Sequence, residues 1–210
     1  MLPPLIPVFP LPNVVLFPNV FLPLHIFEPR YRAMVSDALT GDRIIGMVLL
    51  QPGHETEYEG RPPVFPIGCA GVITHSEPLG DGRYNIVLRG LERFRIAGED
   101  AGNAYRLAHI EGLPEVVPEA DRTELRRHRH RLEALLAVAM ERTGKEPRFP
   151  PAVPDEDLVN ALAQYIDLEP LERQALLERD GILARCRALV ELLEMKSLMQ
   201  KTTWKGKSVH

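Results

Sequence analysis

A chain of 210 residues with 45% hydrophobic and 26% charged side chains has the composition of a folded, soluble domain, long enough for one good core or two small ones, and argues against a fibre or a disordered chain. Its net charge of −4 excludes the basic excess expected of a general nucleic-acid binder. The charge is unevenly placed: residues 1–117 carry 9 Arg, no Lys and 13 Asp+Glu, whereas residues 118–210 carry 16 basic and 16 acidic side chains.

Met1 to Phe27 contains no Asp, Glu, Lys or Arg but does contain Pro3, Pro4, Pro7, Pro10, Pro12, Pro18 and Pro23. A signal peptide or membrane span needs an unbroken helical apolar run, so neither is expected. Each proline removes a backbone donor and pushes its predecessor toward extended geometry. Leu5–Leu11, Val14–Phe17 and Val20–Ile26 therefore read as short strands between Pro/Asn turns. Glu28-Pro29-Arg30 opens a helix through about Leu39, with Tyr31, Met34, Val35 and Ala38 on its apolar side. Arg43–Gln51 is a β-branched strand, and Gln51–Pro63, with the acidic stretch Glu55–Glu59, is a polar loop. Ile67–His75 and Tyr84–Leu88 flank an Asp81-Gly82 hairpin turn, and Arg93–Ala97 and Tyr105–Ile110 alternate polar and apolar residues. These six to eight strands are enough to close a small barrel.

Beyond Pro114 and Pro118 the apolar period changes from two to about 3.6. Leu125, Leu132, Leu136, Ala139 and Met140 share one helical face, opposite Arg126, Arg127, Arg129 and Glu133. A connector with Pro147, Pro150, Pro151 and Pro154 precedes a helix capped by Asp155 and bearing Leu158, Leu162, Tyr165 and Ile166. Leu171–Arg179 and Ile182 to about Met199 are two further helices, the last with a stripe of Ile182, Cys186, Leu189, Val190 and Leu193. The fold class is thus α+β. A β pseudobarrel over residues 1–117 is followed by a helical bundle over 118–200 and a basic, mobile tail over 201–210.

Catalytic signatures are weak. Gly206-Lys207-Ser208 resembles the end of a phosphate loop, but Lys201 stands where its first glycine belongs and no strand precedes it. None of the four serines, Ser36, Ser76, Ser197 and Ser208, sits in a nucleophile elbow. Cys69 and Cys186 lie in apolar settings and read as small buried hydrophobes, in keeping with a reducing cytoplasm. His128 and His130 are two residues apart, which on a helix points them away from a common metal ion. The sequence therefore gives no catalytic residue, no cofactor and no metal. The Arg126–Arg131 run reads as a solvated face, with contact to RNA or an acidic partner as its alternative.

Ile6-Pro7-Val8-Phe9-Pro10-Leu11-Pro12-Asn13-Val14-Val15-Leu16-Phe17-Pro18, continuing as Leu22-Pro23-Leu24-His25-Ile26-Phe27-Glu28-Pro29-Arg30-Tyr31, resembles the start of the N-terminal substrate-binding domain of Lon-type ATP-dependent proteases. Leu88-Arg89-Gly90-Leu91-Glu92-Arg93-Phe94-Arg95-Ile96 resembles that domain's second signature, and the leucine-rich helices resemble its helical part, so the resemblance spans about residues 3–198. Asn19 stands where a glycine is common in the family. The likeness is greatest to the stand-alone bacterial forms, which lack the ATPase and Ser-Lys protease modules, and cereblon carries a related barrel. It implies a PUA-like pseudobarrel that recognises unfolded or damaged polypeptides without catalysis, alone, as a homo-oligomer, or with a protease or chaperone partner. Alternatives are RNA binding, known among PUA-like barrels, and an adaptor for a separate protease. Phe17, Phe21, Phe27 and Tyr31 are the candidate apolar contacts, with Arg89 and Arg93 as polar anchors.

Overall fold

The computed structural model of the protein describes residues 1–54, 60–141 and 153–205. The acidic stretch Glu55–Glu59, three connector prolines (Pro147, Pro150 and Pro151) and Gly206-Lys207-Ser208 lie outside the described residues. The chain forms two compact units, Met1–Glu115 with Asn160–Glu178, and Val116–Val159 with Arg179–His210. A helical segment that the sequence groups with the bundle thus clusters with the strands.

The first unit contains β1 (Leu5–Leu11), β2 (Phe21–Ile26), α1 (Pro29–Thr40), β3 (Ile44–Leu49), β4 (Ile67–Pro78), β5 (Tyr84–Asp100) and β6 (Arg106–Leu113). The sheet order is β2-β5-β4-β3-β1-β6, and β6 returns to pair with β5. Five strands therefore close a ring, and β2 stands outside it. Among the described strands only β1 and β3 are parallel, with Val8 opposite Gly46, and their crossover holds β2 and α1, as a parallel pair requires a long connection.

The 17-residue β5 makes this topology. Tyr84–Arg89 pairs with β2, Arg93–Asp100 pairs with β6, and the opposite edge follows β4. Two strands read from the sequence, Tyr84–Leu88 and Arg93–Ala97, are the two ends of this single strand. Gly90 does not break it; a side chain at Gly90 would run into the carbonyl oxygen of Phe17, so glycine permits a close backbone approach. Val14–Phe17, read as a strand, makes no ladder. Its apolar pattern reflects burial instead: Val15, Leu16 and Phe17 are all interior.

Ile6, Val8, Val48, Ala70, Phe94 and Ala108 form the barrel core. Phe94 fills its middle, and Gly68 makes room, because a Cβ there would strike both the Phe94 ring and the Met47 carbonyl. Tyr31, Met34, Val35 and Ala38 of α1 are buried, as the helical spacing requires. The C-terminal part of α3 (Asp155–Tyr165) and all of α4 (Pro170–Leu177) belong to this unit. A capping box between Glu169 and Glu172 starts α4. Gln174 Nε2 donates to the Ile67 carbonyl at 2.9 Å, fixing α4 to β4.

The second unit pairs α2 (Glu119–Glu141) with α5 (Gly181–Lys205). Leu125, Leu132, Ile182, Cys186 and Leu189 are buried along their stripes. Arg129, placed by periodicity on the polar face, is buried as well, because α3 and the segment before it supply partners that helical phase alone does not reveal. α5 continues to Lys205, past the expected start of the tail at Lys201.

Candidate functional site

Hydrogen-bond parity makes β2 an open edge. Gly90 N–H donates to the Val20 carbonyl at 2.9 Å, and pairing then continues with Leu22 opposite Leu88 and Leu24 opposite Ile86. Because backbone groups alternate in direction along a strand, those of Phe21, Pro23 and His25 point away from β5. Pro23 has no N–H to donate and occupies one of these outward positions, the place a sheet tolerates it. β5 is the only strand paired with β2 among the described residues.

A turn sets the start of this edge. Val20 N–H donates to the Phe17 carbonyl at 3.3 Å, with Pro18 and Asn19 between them. Asn19 has φ +60°, so Pro followed by a left-handed residue gives the signature of a type II turn. Asparagine tolerates this left-handed conformation better than most other non-glycine residues, so it holds the turn. Buried Phe17 anchors it from below.

The exposed face of β2 has an apolar end and a polar end. At the first, Phe21 is 51% exposed and lies opposite Arg89, itself exposed. Tyr165 of α3, 66% exposed, donates its hydroxyl to the Phe21 carbonyl at 2.9 Å. At the other, His25 Nδ1 lies 2.8 Å from Asn85 Oδ1, Asn85 donates to Glu77 at 2.9 Å, and Arg83 lies 3.3 Å from His25 Nε2. Phe27, 60% exposed, stacks on the His25 ring with centroids 6.2 Å apart. Apolar contact and outward backbone groups therefore occur on one strand.

Of the six residues singled out by sequence, Phe21, Phe27 and Arg89 reach the surface. Phe17 and Tyr31 are core residues, and Arg93 is 4% exposed. Arg93 Nη1 donates to the Leu177 carbonyl at 2.9 Å, and Nε lies 3.1 Å from Glu115. It thus satisfies a carbonyl at the end of α4, a structural use of the guanidinium. Helical spacing groups Tyr165 with apolar residues, and its exposed position is invisible to periodicity. An internal proline alone does not single out β2, because β1 carries Pro7 and Pro10 and is paired with both β3 and β6.

Chemistry elsewhere is quiet. Cys186 is fully buried, and desolvation, reinforced by Asp155, pushes its thiol up to about 12, so it stays protonated. The basic run meets carboxylates: Arg129 with Asp155 and Glu133, Arg131 with Glu194, and His128 with Glu124. Arg126 and Arg127 of the same run are exposed. No helix among the described residues is long and apolar enough to cross a membrane.

Comparison with known proteins agrees with this architecture. The model of the ATP-dependent protease La (LON) substrate-binding domain matches residues 5–195. The chain belongs to this family. The Lon protease of Cytophaga hutchinsonii is 26% identical over 91% of the chain and 24% of its own length. The Lon protease of Flavobacterium johnsoniae is 28% identical over 98% of the chain and 25% of its own length. This LON domain therefore spans about a quarter of the length of the curated relatives it matches. Two solved structures share its fold. The Lon N-terminal domain protein from Xanthomonas campestris superposes with TM-score 0.59 at 23% identity, covering 89% of this chain and 97% of that one. The N-terminal domain of Mycobacterium avium complex Lon protease gives TM-score 0.64 at 19% identity, covering 90% and 98%. The α+β pseudobarrel with attached helices expected from the sequence is the fold found.

Proposed function

We propose that this LON domain is a non-catalytic polypeptide-binding module that takes an extended, apolar segment of an unfolded chain along β2. The observation that carries the reading is the open edge: the Phe21 N–H, the Pro23 carbonyl and both backbone groups of His25 face outward beside exposed Phe21 and Phe27, while the Phe21 carbonyl accepts from Tyr165. A segment adding as a further strand gains main-chain hydrogen bonds that ignore sequence, while the aromatic side chains select apolar residues. Arg89, opposite Phe21, is the proposed polar anchor. Phe17, Tyr31 and Arg93 have no part in it, because their side chains are committed to the interior. The family's name as a substrate-binding domain and the relatives' name as Lon proteases favour a polypeptide ligand over RNA. Two free, buried cysteines suit a reducing cytoplasm.

Fluorescence anisotropy with a labelled, permanently unfolded polypeptide tests this. Phe21→Ser with Phe27→Ser is expected to weaken binding about tenfold or more, since two aromatic contacts are lost, with melting unchanged. His25→Pro removes one outward N–H and leaves the β5 pairing parity intact, so it is expected to weaken binding separately. Unchanged affinity in both variants, or tighter retention of RNA with steep salt dependence, overturns the reading. Capture of a single ATP-dependent protease in place of unfolded chains would favour the adaptor alternative.

A further inference from the structure

We infer that Tyr165 guards the β2 edge, an inference that rests on polypeptide binding there: its hydroxyl competes with a bound chain for the Phe21 carbonyl and sets how far along β2 pairing extends. Tyr165 lies 144 positions from Phe21 in the sequence and donates its hydroxyl to that carbonyl at 2.9 Å. Both residues belong to the same compact unit. By strand parity the Phe21 carbonyl points away from β5, toward the place a further strand would occupy. The tyrosine and an incoming chain need the same acceptor.

The backbone around Tyr165 is held, whereas its side chain is not enclosed. α3 ends at this residue. Ile166 N–H closes the last turn on the Leu162 carbonyl at 3.0 Å, and Arg173 Nη2 donates to the Ile166 carbonyl at 2.9 Å. Ala163 and Leu168, on either side, are buried. Tyr165 itself is 66% exposed, so burial does not pin the ring over Phe21. Its hydroxyl can turn to water when another donor takes the carbonyl. A neutral hydrogen bond exchanged in this way is worth a factor of about two to ten, which is small enough for a ligand to reverse.

Strand edges invite unwanted pairing, and folded proteins blunt them with prolines and covering groups. β2 has both devices at successive outward positions: Tyr165 takes the Phe21 carbonyl, and Pro23 lacks an N–H. The covered acceptor and the missing donor face the same stretch of an added chain, so they leave one gap in its ladder. Of Phe21, Pro23 and His25, the last alone turns out both a donor and an acceptor. Pairing therefore starts at His25 and reaches Phe21 last, when an N–H of the incoming chain replaces the tyrosine hydroxyl. Two copies of β2 meeting about Pro23 would set two residues without donors opposite each other, so the same pattern disfavours self-pairing and leaves the edge to a chain with ordinary amides.

Two readouts on the full chain test the guard. The first is fluorescence anisotropy with a labelled polypeptide kept unfolded by reduction and carboxymethylation. Tyr165→Phe keeps the ring and removes the donor, and is expected to bind about two- to tenfold more tightly than the parent, with melting unchanged. The second is the carbonyl-carbon NMR signal of Phe21 in isotope-labelled protein. In free Tyr165→Phe it is expected to move toward the value of a carbonyl bonded only to water, and added polypeptide should move it back. In the parent one donor replaces another, so the same addition should move it less. A tyrosine that only braced α3 would give neither the gain in affinity nor the return of the signal. Equal or weaker binding by Tyr165→Phe overturns the inference, as does a Phe21 signal that polypeptide leaves unmoved in that variant. The β2 variants tell the two readings apart. If Phe21→Ser with Phe27→Ser, and His25→Pro, all bind unchanged, binding on β2 and its guard fall together. If they weaken binding while Tyr165→Phe matches the parent, the guard alone falls.

Discussion

Both compact units bury arginine, Arg93 and Arg106 in the strand unit and Arg129 and Arg185 in the helical unit, but they differ in what else holds them together. In the strand unit, Arg93 and Arg106 are buried and each donates to a backbone carbonyl, of Leu177 and Pro62 respectively. In the helical unit, Arg122 pairs with Glu156, Arg131 with Glu194 and Arg187 with Glu124, all with substantially exposed side chains. The closed ring of strands leaves few backbone groups to satisfy, and its cohesion comes from apolar packing about Phe94. Two long helices have no ladder between them, so their register depends on leucine stripes and a lattice of charges. Salt should therefore tell the units apart.

Removing Phe94 is the largest expected perturbation. The ring is fully buried between strands, and Gly68 cannot refill the space without striking the Met47 carbonyl. Phe94→Ala is expected to cost about 3–5 kcal/mol, read by hydrogen exchange over residues 5–113, and sodium chloride should leave that loss unchanged. A cost below about 1 kcal/mol would mean that the ring is not packed around Phe94, since even a single lost methylene is commonly felt in a core.

Arg129→Met is the counterpart in the helical unit. Its guanidinium donates to the Val153 carbonyl at 2.7 Å, to Asp155 at 2.6 Å and to Glu133 at 3.0 Å. Losing the cation leaves two carboxylates without it, an effect expected at about 2 kcal/mol. Exchange over residues 119–141 should report it, and added salt should soften it by screening the remaining carboxylates. Equal salt response in the two variants would mean that exposed charge matters no more to the helical unit than to the strand unit.

How far the sequence reached follows the same division. Proline spacing, the Asp81-Gly82 turn and period-two alternation foretold strands, and Gly82, with φ +80°, takes the turn conformation. Alternation could not show that Tyr84 through Asp100 is one strand serving three neighbours, because that depends on where Phe17 crosses Gly90. For the site, residue type marks Phe21, Phe27 and Arg89, which are exposed, and equally Phe17, Tyr31 and Arg93, which are interior. Residue type cannot tell which face of a pleat is covered. Tyr165 and Phe21, 144 positions apart in the numbering, carry no local signal of meeting.

Asn19 tests the turn that delivers β2 to its edge. With φ +60°, Asn19→Gly is expected to be nearly neutral, within about 0.5 kcal/mol, whereas β-branched Asn19→Val should cost about 1–3 kcal/mol from backbone strain. Urea unfolding measures both. If valine is tolerated as well as glycine, the left-handed turn is not what fixes the strand, and the outward parity of Phe21 loses its support.

The smallest effect is at Glu124, whose carboxyl is held below its ordinary value of 4.5 chiefly by a hydrogen bond from Arg187, against the opposing influence of desolvation. Arg187 lies 2.6 Å away and His128 at 3.5 Å. A carboxyl depressed in the folded state stabilises it above pH 4.5, and the contribution is lost as pH falls through that value and below. Glu124→Gln is expected to be slightly less stable than the parent at neutral pH and to converge on it under acid, as followed by melting temperature against pH. Exposure keeps the difference small. Parallel curves for parent and variant below pH 4.5 would show that this charge pair adds no stability, leaving the helical unit to rely on the same apolar burial as the barrel.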